Sequence, residues 1–401
     1  MTADHTPSSS PDQPPPPLSG FQDEIYLQGL LEDRVPPYPT DPARLEEAAR
    51  RVLAAGPFGY VAGSAGTGAT ARANREAFDR WAIVPRMLRD VQHRTLDREV
   101  LGTQMTAPVL LAPIGVLSIV HPDAEPAAAR AAAGLGLTSV LSTASSTPLE
   151  EVAEAAGDGD RWFQLYWARS PEVTASLLAR ARAAGYRTLV VTLDTAMLGW
   201  RPQDLDQAYL PFLRSIGIAN YLSDPVFRAG LAKPPEEDPF GAVAHWAGMF
   251  SNPGATWEDL AFLREHWDGP IVLKGILHPD DGRRALDAGM AGVVVSNHGG
   301  RQVDGAIAAL DALPLVAEAV GQDLTVLFDS GVRTGSDVVK ALALGARAVL
   351  LGRPYAYGLA LGGEEGVRHV LRCVLAELDV TLALSGHAHV DDLTPRDLVR
   401  R

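Results

Sequence analysis

From residue 108 onward the chain alternates short apolar runs with amphipathic stretches. The runs are VLLAP (109–113), SVLS (139–142), WFQLY (162–166), TLVVTLD (188–194), IVLK (271–274), GVVVS (292–296), TVLFD (325–329) and AVLLG (348–352), eight in all. Each is apolar throughout, the pattern of parallel strands covered on both faces. The stretches between them carry helix signals. Thr147-Pro148-Leu149-Glu150 reads as a capping box, Ser170-Pro171-Glu172 opens a helix that Gly185 closes, and another runs from Ser336 to Gly345. Eight strands with helices between them predict an α/β fold, a (β/α)8 TIM barrel. A doubly wound sheet is disfavoured, because the GSAGTG at 63–68 follows a helix and not a strand.

Ahead of the barrel, Asp41 and Pro42 start a helix over 41–55, and a second follows near 69–81. Residues 1–20 are Pro/Ser-rich and predict a disordered tail. The rest, 21–401, reads as one domain, with N-terminal helices over 40–82 and the barrel over 108–400. Between strands 4 and 5 lies a long insertion, 201–257, rich in Pro, Gly and aromatics. Such an insertion on the catalytic face is expected to act as a lid, or else as a subunit contact.

Composition narrows the function classes. A net charge of −14 and 46% hydrophobic residues describe a globular chain with a large core and no surface for nucleic acid. One cysteine, Cys373, excludes a disulfide framework. No apolar run reaches the roughly 20 residues of a membrane span, and residues 1–20 lack a secretory pattern, so a cytoplasmic protein is expected. The 35 basic residues are 32 Arg and only Lys233, Lys274 and Lys340, so each lysine asks for a local reason.

Barrel enzymes build their sites at the C-terminal ends of the strands. Six ends here are polar: Gln164-Leu165-Tyr166, Thr192-Leu193-Asp194, Lys274, Ser296-Asn297-His298 with Arg301, Asp329-Ser330-Gly331-Val332-Arg333, and Gly352-Arg353. Glycine backbone at Gly331 and Gly352 beside Arg333 and Arg353 suits a phosphate in the loops after strands 7 and 8. Lys274 can stabilise developing negative charge or serve as a base. His298 can take a proton, Asp194 can orient its imidazole, and Arg301 and Arg201 can clamp a carboxylate. His387 and His389, with Asp391 and Asp392, suggest a metal, but they lie beyond strand 8 without a specified third ligand, and no metal is expected.

The stretch Ser296-Asn297-His298-Gly299-Gly300-Arg301-Gln302 resembles the signature of the FMN-dependent α-hydroxy acid oxidases and dehydrogenases. The likeness runs from about residue 40 to the end, through Tyr60, Asn74, Phe78, Ala112-Pro113, Gln164-Leu165-Tyr166, Thr192-Leu193-Asp194-Thr195, Leu273-Lys274-Gly275 and Gly352-Arg353-Pro354. Within the family the chain is most similar to lactate 2-monooxygenases, through Ala112-Pro113-Ile114-Gly115, Leu198-Gly199-Trp200-Arg201 and the long insertion. The family's oxidases tend to carry Ala where Gly115 stands, and commonly Gly at Ser330 and Pro at Ala196.

The resemblance implies FMN as cofactor. Lys274 would then face the flavin's N1–C2=O side. Ser142, Gln164, Thr192 and Ser296 would bond its ring or ribityl chain, with Ala112, Pro113, Ile114, Ser330 and Gly331 also lining the cofactor. Asp329 would bind ribityl hydroxyls, and Arg333, Gly352 and Arg353 the phosphate. Arg301, Arg201 and Tyr60 would bind the substrate carboxylate and Tyr166 its hydroxyl, with His298 as base supported by Asp194. The implied activity is oxidation of a small L-2-hydroxy acid such as lactate with O2 as acceptor, ending in acetate, CO2 and water. The alternative is an oxidase that releases the 2-oxo acid and H2O2. Gly115 would leave room for oxygen, and the insertion would slow product escape. An FMN-barrel isomerase is the more distant alternative, and has no need of a His-x-x-Arg carboxylate pair. A homotetramer or homo-octamer is expected by the same resemblance.

Overall fold

A computed structural model describes residues 18–401. The apolar runs form strands β1 (Val109–Leu111), β2 (Thr138–Ser142), β3 (Arg161–Tyr166), β4 (Leu189–Thr192), β5 (Ile271–Ile276), β6 (Gly292–Val295), β7 (Thr325–Phe328) and β8 (Ala348–Leu351). They pair in parallel in chain order, and β8 closes on β1, so the sheet is an eight-stranded barrel with no free edge. The fold is a (β/α)8 TIM barrel, as the run pattern predicts.

Both faces of every strand are used. Leu110, Val140, Trp162, Val190, Val272, Val294 and Leu327 cluster on one face, while their chain neighbours Leu111, Leu141, Phe163, Val191, Leu273, Val293 and Phe328 join the core shared with the helices. Each such side chain contributes about 1.5–3 kcal/mol when fully buried. Aliphatic packing therefore suffices where aromatics are few. Val100 and Met105, from a small antiparallel pair (Arg98–Val100 with Thr103–Met105), pack into the first cluster, and the Trp162 indole N–H reaches the Thr103 hydroxyl at 3.3 Å.

Helix caps mostly follow the sequence. Asp41 accepts from the Arg44 amide ahead of the helix Pro42–Val52, and Ser170 from Val173 ahead of Pro171–Ala183. Thr334 and Asp337 form a reciprocal capping box at Gly335–Ala343, one residue earlier than expected. The box expected at Thr147 is absent. Pro148 is the cap of Leu149–Ala156, and the Thr147 hydroxyl turns instead to buried Glu125. That carboxylate also accepts from the Leu117 and Ser146 amides, a stronger demand on the loop.

Two boundaries differ. The helix over 41–55 stops at Val52, and Ala55–Ala62 is a separate helix, because Leu53 is extended. The tail expected over 1–20 lies outside the described residues except for 18–20, where Gly20 already begins a helix to Glu32. No residue of that helix is buried, and Leu27, Leu30 and Leu31 face outward, so it has no apolar face to read. It is held at its N-terminal end instead. The Ser19 amide donates to Asp379, and the Arg372 guanidinium lies 4.0 Å over the Phe21 ring.

The insertion folds into the short helices Pro202–Asp206, Ala219–Leu222 and Pro225–Ala229 and the longer Pro239–Phe250. Phe212, Ile218, Tyr221, Phe227 and Trp246 form a cluster of their own, anchored on Val116, Ala144, Val173 and Leu177 of the barrel layer. Phe212 stacks on Trp246 at 4.9 Å. Among the described residues no helix is long and apolar enough to cross a membrane.

Candidate active site

The C-terminal ends of the strands open into a cavity of about 140 Å3. Its wall contains Tyr60, Ala112, Pro113, Ile114, Tyr166, Arg201, Lys274, His298, Arg301, Asp329, Ser330, Gly331, Arg333, Gly352 and Arg353. Residues from six strand ends, the first helical layer and the insertion thus meet in one place. Ser142, Gln164, Thr192 and Ser296 do not line it. Ser142 donates to Gln164 Oε1 at 2.8 Å, and Gln164 Nε2 donates to the Thr192 hydroxyl at 2.9 Å, a buried side-chain relay across β2, β3 and β4. Ser296 lies behind Lys274 and accepts from its Nζ at 3.0 Å.

His298 follows β6 with φ +57, a left-handed backbone that costs a non-glycine residue about 1–2 kcal/mol. The turn is over-determined. Its amide donates to Ser296 Oγ at 3.0 Å. Asn297 exchanges two side-chain hydrogen bonds with buried Asn74, at 2.7 and 2.8 Å, and so docks the loop on the helix Ala69–Asp79. Gly300 comes so close to that helix that a Cβ would lie 2.6 Å from the Ala71 amide nitrogen. The imidazole Nδ1 meets Asp194 Oδ1 at 2.8 Å, which leaves Nε2 for the cavity.

Electrostatics define the pair. Burial pushes the His298 imidazole below its ordinary value, against the pull of Asp194, and Lys274 and Arg201 add to the fall. Burial alone would raise Asp194, but His298 and Lys274 hold it below the usual carboxylate range. At neutral pH the dyad is therefore a neutral imidazole bonded to a carboxylate, the state a general base requires. Burial likewise works against Lys274, yet Asp329 at 3.1 Å and Asp194 keep it raised and charged. That is the local reason for this lysine. Burial raises Tyr166 strongly, so its hydroxyl stays protonated as a donor.

Arg301 is bonded to the Tyr60 and Gly63 carbonyls at 2.6 and 2.9 Å, and its guanidinium lies 5.1 Å over the Tyr60 ring. Burial and then Arg201 push it down to about 9. Arg201 donates to the Arg301 carbonyl at 3.1 Å and to Gln302 Oε1 at 2.7 Å. The Gln302 amide in turn donates to the carbonyls of Asp194 and Met197. Sequence reasoning passed over this tie, since a glutamine after Arg301 carries no signal by itself. Buried Asp204 stands beside this pair, 4.0 Å from Arg201, but among the described residues it accepts no hydrogen bond, so neither guanidinium fork is closed by a carboxylate and the pair suits an anion.

A second cationic pair stands at the far end. Burial, then Arg353, pushes Arg333 down to about 10, and among the described residues its side chain donates only to the Val332 carbonyl. Arg353 donates to Val61, Gly63 and Gly299 carbonyls, so Arg333 has the freer fork. A Cβ on Gly352 would meet nothing nearer than Ala112 at 3.9 Å, so backbone there has room for a ligand. The wall holds five cations (Arg201, Lys274, Arg301, Arg333, Arg353) and one carboxylate, Asp329. A phosphate at one end and an anionic ring edge or carboxylate at the other would balance it. The donor set thus fits FMN.

One expectation meets different geometry. A Cβ on Gly115 would sit 2.6 Å from the Ala144 carbonyl oxygen and 2.8 Å from its Cβ. The missing methyl is replaced by the Ala144 turn, not by open room for oxygen. Beyond β8, His387 lies 3.2 Å from both Asp397 Oδ1 and Ser385 Oγ, while Asp391 pairs with Arg98 and Arg347.

The matching family model is FMN-dependent dehydrogenase, over residues 49–400. The chain belongs to that family and is an FMN-dependent oxidoreductase. It is 49% identical to an FMN-dependent alpha-hydroxy acid dehydrogenase, qulF, of Penicillium citrinum, over 97% of both chains. It is 43% identical to an L-lactate oxidase of Lysinibacillus sphaericus, covering 91% of this chain and 94% of that one. A crystal structure of mandelate oxidase with (S)-4-hydroxymandelic acid superposes with a TM-score of 0.81 at 39% identity, over 90% of this chain and 99% of that chain.

Proposed function

We propose that the enzyme oxidises an L-2-hydroxy acid to the 2-oxo acid with O2 as the electron acceptor. The observation that carries this reading is His298, bonded to Asp194 behind it, in the same cavity as the Arg201–Arg301 pair. Relatives named for α-hydroxy acids and lactate support the substrate class. In this reading FMN, when bound, accepts the two electrons of the oxidation. Arg301 and Arg201 hold the carboxylate with Tyr60, which fixes the α-carbon relative to His298. His298 Nε2 takes the proton and Asp194 stabilises the imidazolium that results. Tyr166 donates to the substrate oxygen. Lys274 would supply positive charge to the reduced cofactor, and Asp329, Arg333, Gly352 and Arg353 would hold its ribityl and phosphate groups.

Oxidative decarboxylation of lactate to acetate, CO2 and water is the second reading. It rests on the insertion, which supplies Arg201 to the carboxylate clamp and is braced by its own packed core. Such a segment would hold the 2-oxo acid through the oxygen step. Gly115 lends this reading no support. Anaerobic addition of L-lactate to the yellow protein is expected to bleach the flavin, and an unbleached flavin with lactate, mandelate and glycolate would sink the substrate class. In air, acetate without free peroxide marks the decarboxylating course, whereas stoichiometric peroxide with 2-oxo acid marks the oxidase.

A further inference from the structure

Ser330 follows β7 with φ +83, where an L side chain is strained. Its hydroxyl donates to Asp329 Oδ1 at 2.7 Å and accepts from the Asn297 amide at 3.2 Å and the Gly299 amide at 3.0 Å. The amide between these two, that of His298, goes to Ser296 Oγ. Three consecutive N–H groups of the His298 turn therefore end on two serine hydroxyls. Ser296 accepts from Lys274, and Asp329 pairs with Lys274 at 3.1 Å. The turn that carries the imidazole and the ion pair that carries the positive charge are thus joined through both serines.

We propose that Ser330 is a positioning residue that locks the His298 turn to the Lys274–Asp329 pair, so that the base and the cationic group keep one fixed relation. The proposal rests on the reading of His298 as base. In this chain a hydroxyl makes the bridge, because it both donates and accepts and so lets one atom join a carboxylate and two amides. Strain at the left-handed position is the counterpart. Glycine would relax the backbone, but it would leave Asp329 one donor short and the Asn297 and Gly299 amides without their acceptor.

The test uses Ser330→Ala and Ser330→Gly in the FMN-loaded enzyme. Alanine keeps the Cβ and its strain and removes only the hydroxyl, whereas glycine removes both. Both variants are expected to keep FMN and to reduce it about tenfold more slowly at saturating substrate with KM unchanged, because the three hydrogen bonds of the hydroxyl are lost together. In an Asp194→Asn background the further loss should nearly vanish, because both changes act through His298. Amide hydrogen exchange over 297–300 should quicken in both variants. This readout needs no turnover, so it tests the lock even if the substrate reading fails. Parental reduction rates, full additivity with Asp194→Asn, unchanged exchange, recovery by glycine alone, or a loss traced to released FMN would each overturn the proposal.

Discussion

Asp194→Asn isolates the charge behind the base. Asparagine keeps the size of the side chain and an oxygen that accepts from His298 Nδ1, now 2.8 Å from Asp194 Oδ1. What disappears is the negative charge that favours the imidazolium. Two unit charges about 4 Å apart at an effective dielectric of about 20 interact by about 4 kcal/mol. Lys274 pairs with Asp329 and also acts on Asp194, so part of that field is already compensated. A loss of about 10²–10³ in the rate of flavin reduction is therefore expected, each factor of ten being about 1.4 kcal/mol. The direction with pH follows. Asp194 raises His298, so its removal lowers the imidazole further, and the acid limb of kcat/KM moves to lower pH while the plateau falls. The assay is anaerobic rapid mixing of oxidised enzyme with L-lactate, followed by flavin absorbance from acid to neutral pH. Reduction at the parental rate, or an acid limb displaced upward, would refute the dyad as the source of basicity.

His298→Ala should retain FMN and lose about 10²–10⁴-fold in flavin reduction; unchanged reduction would remove His298 as base. Arg301→Lys should slow reduction and raise KM for the hydroxy acid while FMN stays bound, because a point charge replaces a fork that also binds the Tyr60 and Gly63 carbonyls; unchanged steady-state kinetics would rule out the clamp. Gly300→Ala should lower stability by about 1–3 kcal/mol through overpacking against Ala71, read as a fall in Tm. The cofactor released by heat should run as FMN in chromatography, since the Gly352 and Arg353 end suits one phosphate.

The barrel was legible in the chain because strands buried on both faces must be apolar at every position, as Val190-Val191 and Val293-Val294-Val295 are. The polar groups at the strand ends stood out against that background, and most of them line one cavity. The helix Gly20–Glu32 was not legible, since an element held by Ser19–Asp379 and Arg372–Phe21 contacts shows no apolar period. Nor was the diversion of Thr147 to Glu125, which depends on a residue 22 positions away in the chain.

Sequence alone determined the strand count, the phosphate-suited glycine and arginine ends, and the residues able to take a proton or clamp a carboxylate, because these follow from local composition and residue chemistry. Tertiary structure decided how those groups are divided. It put Ser142, Gln164 and Thr192 into a relay behind the cavity wall, closed Gly115 against Ala144, and drew Gln302 between Arg201 and Asp194. It also joined Ser330 to the His298 turn, across 33 residues of chain. Such relations depend on which hydroxyl or carbonyl lies within about 3 Å, a distance set by strand register and loop docking rather than by residue type.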